Sequence, residues 1–213
     1  MNGLFITIEG NDGSGKTTII NGIKKMLSEK GIDYIQTREP GGSEIAEKIR
    51  QVILDKNNDK MDSRTEALLY AASRRQHIVE VVLPALNAGK LVLCDRFVDS
   101  SLAYQGYARG IGIEEVYKMN QFATEGLLPD LTIYLNVSPQ VGIKRKSAQK
   151  ELDRLEQEGI SFHEKVFQGY QKVVEMFPKR IVAIDGERDA QAVIDDTVVV
   201  VEGFLKQRMN QND

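Results

Sequence analysis

Residues 10–17 read Gly10-Asn11-Asp12-Gly13-Ser14-Gly15-Lys16-Thr17. They fit G-x-x-x-x-G-K-S/T at every fixed position, after an apolar run ending at Glu9 and before a helix-like stretch. The glycines let backbone N–H groups turn inward around phosphate oxygens. A helix opening at Lys16 adds the partial positive charge of its N-terminus. Lys16 then reaches the β- and γ-phosphates, and the Thr17 hydroxyl is placed for Mg²⁺, with Thr18 beside it. The chemistry is that of a nucleoside triphosphate bound with magnesium.

Three fates of that triphosphate are open: transfer to a small acceptor, a GTPase switch, or an ATPase motor. The chain has no Asn-Lys-x-Asp guanine-reading motif, which weighs against the switch. A kinase needs a second anion pocket facing the first. Arg38 in Thr37-Arg38-Glu39-Pro40-Gly41-Gly42 follows a strand-like run, and Asp95-Arg96 ends another, Leu91-Val92-Leu93-Cys94. Strand C-terminal ends form the ligand edge of an open α/β sheet. Asp95 is a candidate for the magnesium shell, with Arg38 and Arg96 for phosphate. Tyr70 and Arg74, spaced i, i+4, share one helix face. On the residues alone they could equally be a cation–π pair supporting the fold.

Short β-rich runs and helix-like runs alternate to position these residues. The strand candidates are Leu4–Glu9, Tyr34–Thr37, Leu91–Cys94, Leu131–Val137 and Arg180–Ile184. Their near-continuous hydrophobicity suits strands covered on both faces, hence a parallel sheet. Lys16–Lys30 predicts a helix stopped by Gly31. Ser63-Arg64-Thr65-Glu66 reads as a capping box opening a long helix toward Asn87. Ser138-Pro139 and Asp189 read as two further helix starts. Lys144–Glu164 is dense in charge and lies between the fourth and fifth strands. A solvated helical face and a lid over phosphates compete for it, and its position favours the lid.

The 213 residues carry 28 Lys+Arg against 31 Asp+Glu, a net charge of -3. That argues against a generally basic nucleic-acid binder. It allows a local basic cleft at Lys16, Arg38, Arg50, Arg74, Arg96 and the lid, with acids covering the rest. The longest apolar run, Ala67–Ala72, is six residues, far short of the roughly 20 needed to span a membrane. The N-terminal residues lack the pattern of a secretory signal. Cys94 is the single cysteine and His77 and His163 the only histidines, so no cysteine or histidine metal cluster is expected and both histidines read as structural. The expectation is one cytoplasmic domain over 1–213, with no nucleic-acid or membrane partner.

The chain resembles the bacterial-type thymidylate kinases. The resemblance is carried by FITIEGNDGSGKTT at 5–18, TREPGG at 37–42, TEALLYAASRRQH at 65–77, DRFVDSSLAYQG at 95–106, PDLTIYLNV at 129–137 and LDRLEQE at 152–158. It implies a three-layer α/β P-loop kinase fold, with a five-stranded parallel sheet flanked by helices and a mobile lid around 142–160. It also implies transfer of the ATP γ-phosphate to dTMP, Mg²⁺ as cofactor, and a homodimer.

Carried over by position, Gly10–Thr18 hold ATP, and Arg145 is a candidate to lie against adenine. Asp12 addresses the acceptor sugar and an arginine. Arg38 and Arg96 hold the acceptor phosphate, and Arg50 is a further basic contact. Glu39 and Asp95 organise Mg²⁺. Tyr70 stands where the family places an aromatic, usually Phe, stacked on thymine. Arg74 reaches the base O4, Ser101 and Gln105 lie near its N3 edge, and Tyr104 disfavours a ribose 2′-hydroxyl. Because Gly13 replaces the arginine that another type carries in this loop, the lid is expected to supply the catalytic cation. Lys150 and Arg154 are the candidates.

Overall fold

A computed structural model describes residues 3–146 and 153–210. Five strands form one parallel sheet: β1 (Leu4–Glu9), β2 (Tyr34–Arg38), β3 (Leu91–Asp95), β4 (Leu131–Asn136) and β5 (Ile181–Asp185). The helices are α1 (Lys16–Glu29), α2 (Glu44–Leu54), α3 (Ser63–His77), α4 (Leu83–Asn87), α5 (Val98–Ser101), α6 (Ile113–Thr124), α7 (Pro139–Lys146), α8 (Ile160–Met176) and α9 (Ala190–Asn210). Each strand lies within a residue of its expected bounds. The parallel sheet and flanking helices are as the sequence predicts.

The order β2-β3-β1-β4-β5 puts β1 at the centre. From β1 the chain runs to the edge strand β2, returns to β3 beside β1, then crosses to β4 and β5 on the other side, so the ligand crevice of an open α/β sheet falls at the C-terminal end of β1. Register brings the chemistry there together, with both Ile8 and Arg38 opposite Asp95. Alternation along the strands makes two cores. Phe5, Val92, Cys94 and Tyr134 pack under Phe97, Leu102, Val166 and Tyr170. Ile6, Ile8, Leu93 and Ile133 pack against Ile19, Ile20 and Ile23 of α1 and Val201 of α9.

Two local expectations are corrected. Asp62, not Ser63, caps α3: its Oδ1 accepts from the Arg64 and Thr65 amides at 2.9 and 3.1 Å. The Asp62 carboxylate also places a negative charge at the positive end of the helix dipole. That leaves Glu66 free to turn inward. The long helix toward Asn87 is realised as α3, a π-helical turn at Ile78–Val82, and α4. Pro84 has no N–H to continue an α-helical ladder, and the helix widens just before it. Asp189 caps α9 as expected, accepting from the Gln191 and Ala192 amides.

Among the described residues no helix is long and apolar enough to cross a membrane. Lys150 and the lid residues 147–152 lie outside the described residues.

Candidate active site

A cavity of about 570 Å³ opens at the C-terminal end of the sheet. Its lining includes Asp12, Gly13 and Gly15–Thr18 of the phosphate loop together with Arg38, Glu39, Arg50, Tyr70, Arg74 and Gln105. Asp95, Arg96 and Tyr104 lie in the same lining. The phosphate loop and the expected acceptor residues thus share one space.

Gly15 sits at the N-cap of α1 with φ 95°, a left-handed conformation that a side chain would strain. The Lys16 ammonium is folded back onto the Gly10 and Asn11 carbonyls at 3.1 Å each. Burial, then repulsion from Arg96, pulls its pKa down to about 8. Thr17 and Thr18 are exposed on the cavity wall.

Arg96 has φ 69°, unusual for a residue with a side chain and of a kind that gathers at functional sites. Its guanidinium donates to Asp12 Oδ1 at 2.9 Å and to Ser100 Oγ and Tyr170 Oη at 3.1 Å each. Ser100 and Tyr170 both donate in turn to Glu9 Oε2, at 2.6 and 2.9 Å. Burial and then Asp99 push the Glu9 pKa up. Burial also acts to raise Asp12, but Arg96, then Lys16 and Lys146, outweigh it and hold that carboxyl well below the usual range. Tyr104 donates weakly to Asp12 Oδ2 at 3.4 Å, which places Asp12, Arg96 and Tyr104 in one cluster.

Arg38 and Arg50 both donate to the Pro40 carbonyl, at 2.8 and 2.9 Å, and Arg38 is also paired with Glu47. This carbonyl holds two cations side by side at the ligand edge. Arg74 is buried, and four of its five N–H groups are committed. Nε donates to Glu39 Oε2 at 2.7 Å, one Nη to Ser101 and Asn120, and the other to the Phe97 carbonyl at 3.0 Å. One N–H is left for a ligand. Ser101 is buried behind Arg74, so its hydroxyl acts through that side chain.

Glu39, expected in the magnesium shell, gives its oxygens to Arg74 and to His77 Nδ1 at 2.9 Å. His77 Nε2 pairs with Thr37 Oγ1 at 2.6 Å. Thr37 thus steadies His77, His77 holds Glu39, and Glu39 orients Arg74. Asp95 differs: its Oδ1 is buried with no hydrogen-bond partner among the described residues. An orphaned carboxylate oxygen beside Lys16 and Thr17 fits one protein ligand to a hydrated Mg²⁺.

The lid-side residues divide. Arg145 donates to the carbonyls of Gly186 and Glu187 at the cavity edge. Lys146, one of the lid cations but not among the expected site residues, pairs with Glu156 and lies 3.8 Å from Asp12 Oδ1. Arg154 does not reach the cavity lining. It is buried, donating to the Ile53 carbonyl at 2.9 Å and to Glu66 Oε2 at 2.6 Å. Sequence reasoning also missed Glu9, Glu66, Tyr170, Asp153 and Glu156. Glu66 carried a signal, standing four residues before Tyr70 on the Tyr70–Arg74 face.

The family profile described as thymidylate kinase matches residues 8–197. The chain belongs to the thymidylate kinase family. It is 57% identical to the thymidylate kinase of Clostridium novyi, covering 96% of this chain and 98% of that one. It is 55% identical to the thymidylate kinase of Oceanobacillus iheyensis, over 98% of this chain and 93% of the relative. Among solved structures it resembles the thymidylate kinase of Ehrlichia chaffeensis, with TM-score 0.76 and 29% identity over 95% of this chain and 99% of the other. The fold is accordingly a P-loop kinase fold, and the activity is ATP-dependent phosphorylation of dTMP.

Proposed function

We propose that this chain moves the γ-phosphate of ATP directly onto dTMP, with the two nucleotides entering its cavity from opposite walls. The carrying observation is that Lys16 and Thr17 share that cavity with Arg38, Arg96 and Tyr70. The loop Gly10–Thr18 holds the donor phosphates, and Arg145 lies toward the adenine. Arg38, Arg50 and Arg96 take the acceptor phosphate and offset its repulsion from the γ-phosphate. Asp12 orients Arg96 and the sugar hydroxyl. Tyr70 stacks on thymine, Arg74 spends its remaining N–H on the base O4, and Tyr104 crowds the sugar 2′ side.

Thr17 and Asp95 would hold Mg²⁺, which would supply positive charge to offset that of the phosphates when bound. Positioning and fixed charge carry the reaction, so no phosphoenzyme and no strong base are needed. Lys150 and Arg154 remain the lid's proposed contributions, Arg154 by securing the segment that bears Asp153, Leu155 and Glu156.

We place the protein in the cytoplasm as a homodimer. Ile45 and Val52 of α2, Leu68 of α3, Val79 of the π-helical turn and Phe122 of α6 are exposed large apolar side chains, Phe122 at 89%. A second copy covering them accounts for this exposure, and light scattering after gel filtration reads the mass.

A coupled assay with ATP, magnesium and each nucleoside monophosphate tests the reading. dTMP is expected to be clearly the best acceptor. ATP hydrolysis with no monophosphate accepting would return the switch reading, and a better acceptor would reassign the pocket.

A further inference from the structure

Glu66 lies one turn before Tyr70 and two before Arg74 on the cavity side of α3, and it is 1% exposed. Four N–H groups from three side chains converge on its carboxylate. Oε1 accepts from Gln105 Nε2 at 2.9 Å and Arg109 Nε at 3.3 Å. Oε2 accepts from Arg109 Nη2 at 3.2 Å and Arg154 Nη2 at 2.6 Å. Each arginine is fixed elsewhere too. Arg154 donates to the Ile53 carbonyl, while Arg109 pairs with Glu158 at 2.7 Å and lies 4.4 Å over the Phe162 ring. The carboxylate is pinned from two directions.

Because both oxygens already accept from guanidinium N–H groups, Glu66 meets Gln105 as an acceptor. The Gln105 amide must turn its NH₂ toward Glu66, and its carbonyl oxygen is the atom left for a ligand. Gln105 lines the cavity with Tyr70 and Arg74. The wall therefore offers a donor from Arg74 and an acceptor from Gln105. Thymine presents an O4 acceptor beside an N3–H donor. Cytosine presents an amino donor beside a bare N3 acceptor, the reverse at both positions.

We infer that Glu66 is a positioning residue that fixes the sense of the Gln105 amide and so makes the pocket select a pyrimidine with a protonated N3. The inference rests on dTMP being the acceptor in this cavity. Without Glu66 the amide rotates freely and no longer discriminates at N3, leaving Arg74 alone to reject the cytosine amino group.

The test compares kcat and KM for dTMP and dCMP in the parent enzyme, Glu66→Gln and Glu66→Asp. Glutamine offers both a donor and an acceptor to Gln105. Aspartate keeps the charge for both arginines but withdraws it by one C–C bond, about 1.5 Å, out of reach of Gln105. In both variants the dTMP KM is expected to rise and the dTMP-to-dCMP ratio of kcat/KM to fall by about tenfold or more. If Glu66→Gln does not fold, Glu66→Asp carries the same comparison. A residue that only supports the fold would lower the melting temperature while KM and the ratio stay within twofold of the parent, and that result overturns the inference. Failure of the parent itself to use dTMP overturns the substrate reading as well.

Discussion

Helix α7 meets the phosphate loop backbone to backbone, and Gly142→Ala probes what that contact does. A Cβ at residue 142 would stand 2.5 Å from the Asp12 carbonyl oxygen, and one at Gly13 would stand 2.1 Å from the Gly142 oxygen. Two effects compete. Alanine favours a helix over glycine by about 1 kcal/mol. An ordinary contact begins at 3.4 Å, so the backbones must part by 3.4 − 2.5, about 0.9 Å. Overpacking of this kind costs about 1–3 kcal/mol, which outweighs the propensity gain.

The loop is tied down by Ser14 N to Asn11 O and by Lys16 on the Gly10 and Asn11 carbonyls. Helix α7 therefore gives way, carrying Arg145 and Lys146 about 1 Å off their places. Misplacement of that size at a reacting centre costs up to about a hundredfold in rate. The expected result is a tenfold to hundredfold fall in kcat. KM for dTMP should change little, because Tyr70 and Arg74 stand on α3 and Gln105 follows α5, none of them on α7. Steady-state kinetics with both substrates and a thermal melt decide it. A kcat within twofold of the parent, with a melting temperature raised by helix propensity, would refute the reasoning.

Two further outcomes follow from the same contacts. With Lys16 at about 8 against 10.5 when exposed, the folded chain binds fewer protons than the unfolded one between those values. The Lys16 contribution to stability therefore rises with pH across that window. ATP phosphates restore the proton, so binding at pH 9 should take up about 0.9 proton at this group and at pH 7 about 0.1. Calorimetry in buffers of different ionisation enthalpy measures this, and equal uptake at both pH values would exclude it. Arg154→Met removes two charge-assisted hydrogen bonds of about 1.5–3 kcal/mol each. Hydrogen exchange at residues 153–158 should accelerate by at least tenfold while the sheet stays protected. Unchanged protection there would mean that Arg154 is not the tether.

The sequence makes legible what is encoded locally. The glycine spacing of residues 10–15 states a backbone path, and the apolar runs state five strands, whose bounds match the structure closely; β1, β3 and β4 are covered as expected, while the edge strands β2 and β5 keep exposed residues. Pairings between distant residues are not written that way. Glu66 reads as one half of a capping box with Ser63 because the pattern is four residues long, whereas its partners are 39, 43 and 88 positions away. Asp62 takes the cap from one position earlier and leaves Glu66 for the interior. Arg154 reads as a lid cation for the same reason: a charged stretch gives charge and position but not the direction of a side chain.

Charge distribution shows the same limit and gives it a physical sense. Composition suggests a basic cleft with acids elsewhere. The cavity lining instead holds Lys16, Arg38, Arg50, Arg74, Arg96, Arg145 and Lys146 together with Asp12, Glu39, Asp95, Asp153 and Glu156. Cations crowded without counter-charge would repel one another and pay heavily for burial. Here Arg96 leans on Asp12, Arg74 on Glu39 and Lys146 on Glu156. These pairs fix each cation at a defined place before a phosphate arrives. A guanidinium already held in position stabilises developing charge without reorganising during the transfer. The acids in this cleft thus serve the basic side chains, with Asp95, whose Oδ1 has no partner among the described residues, as the exception.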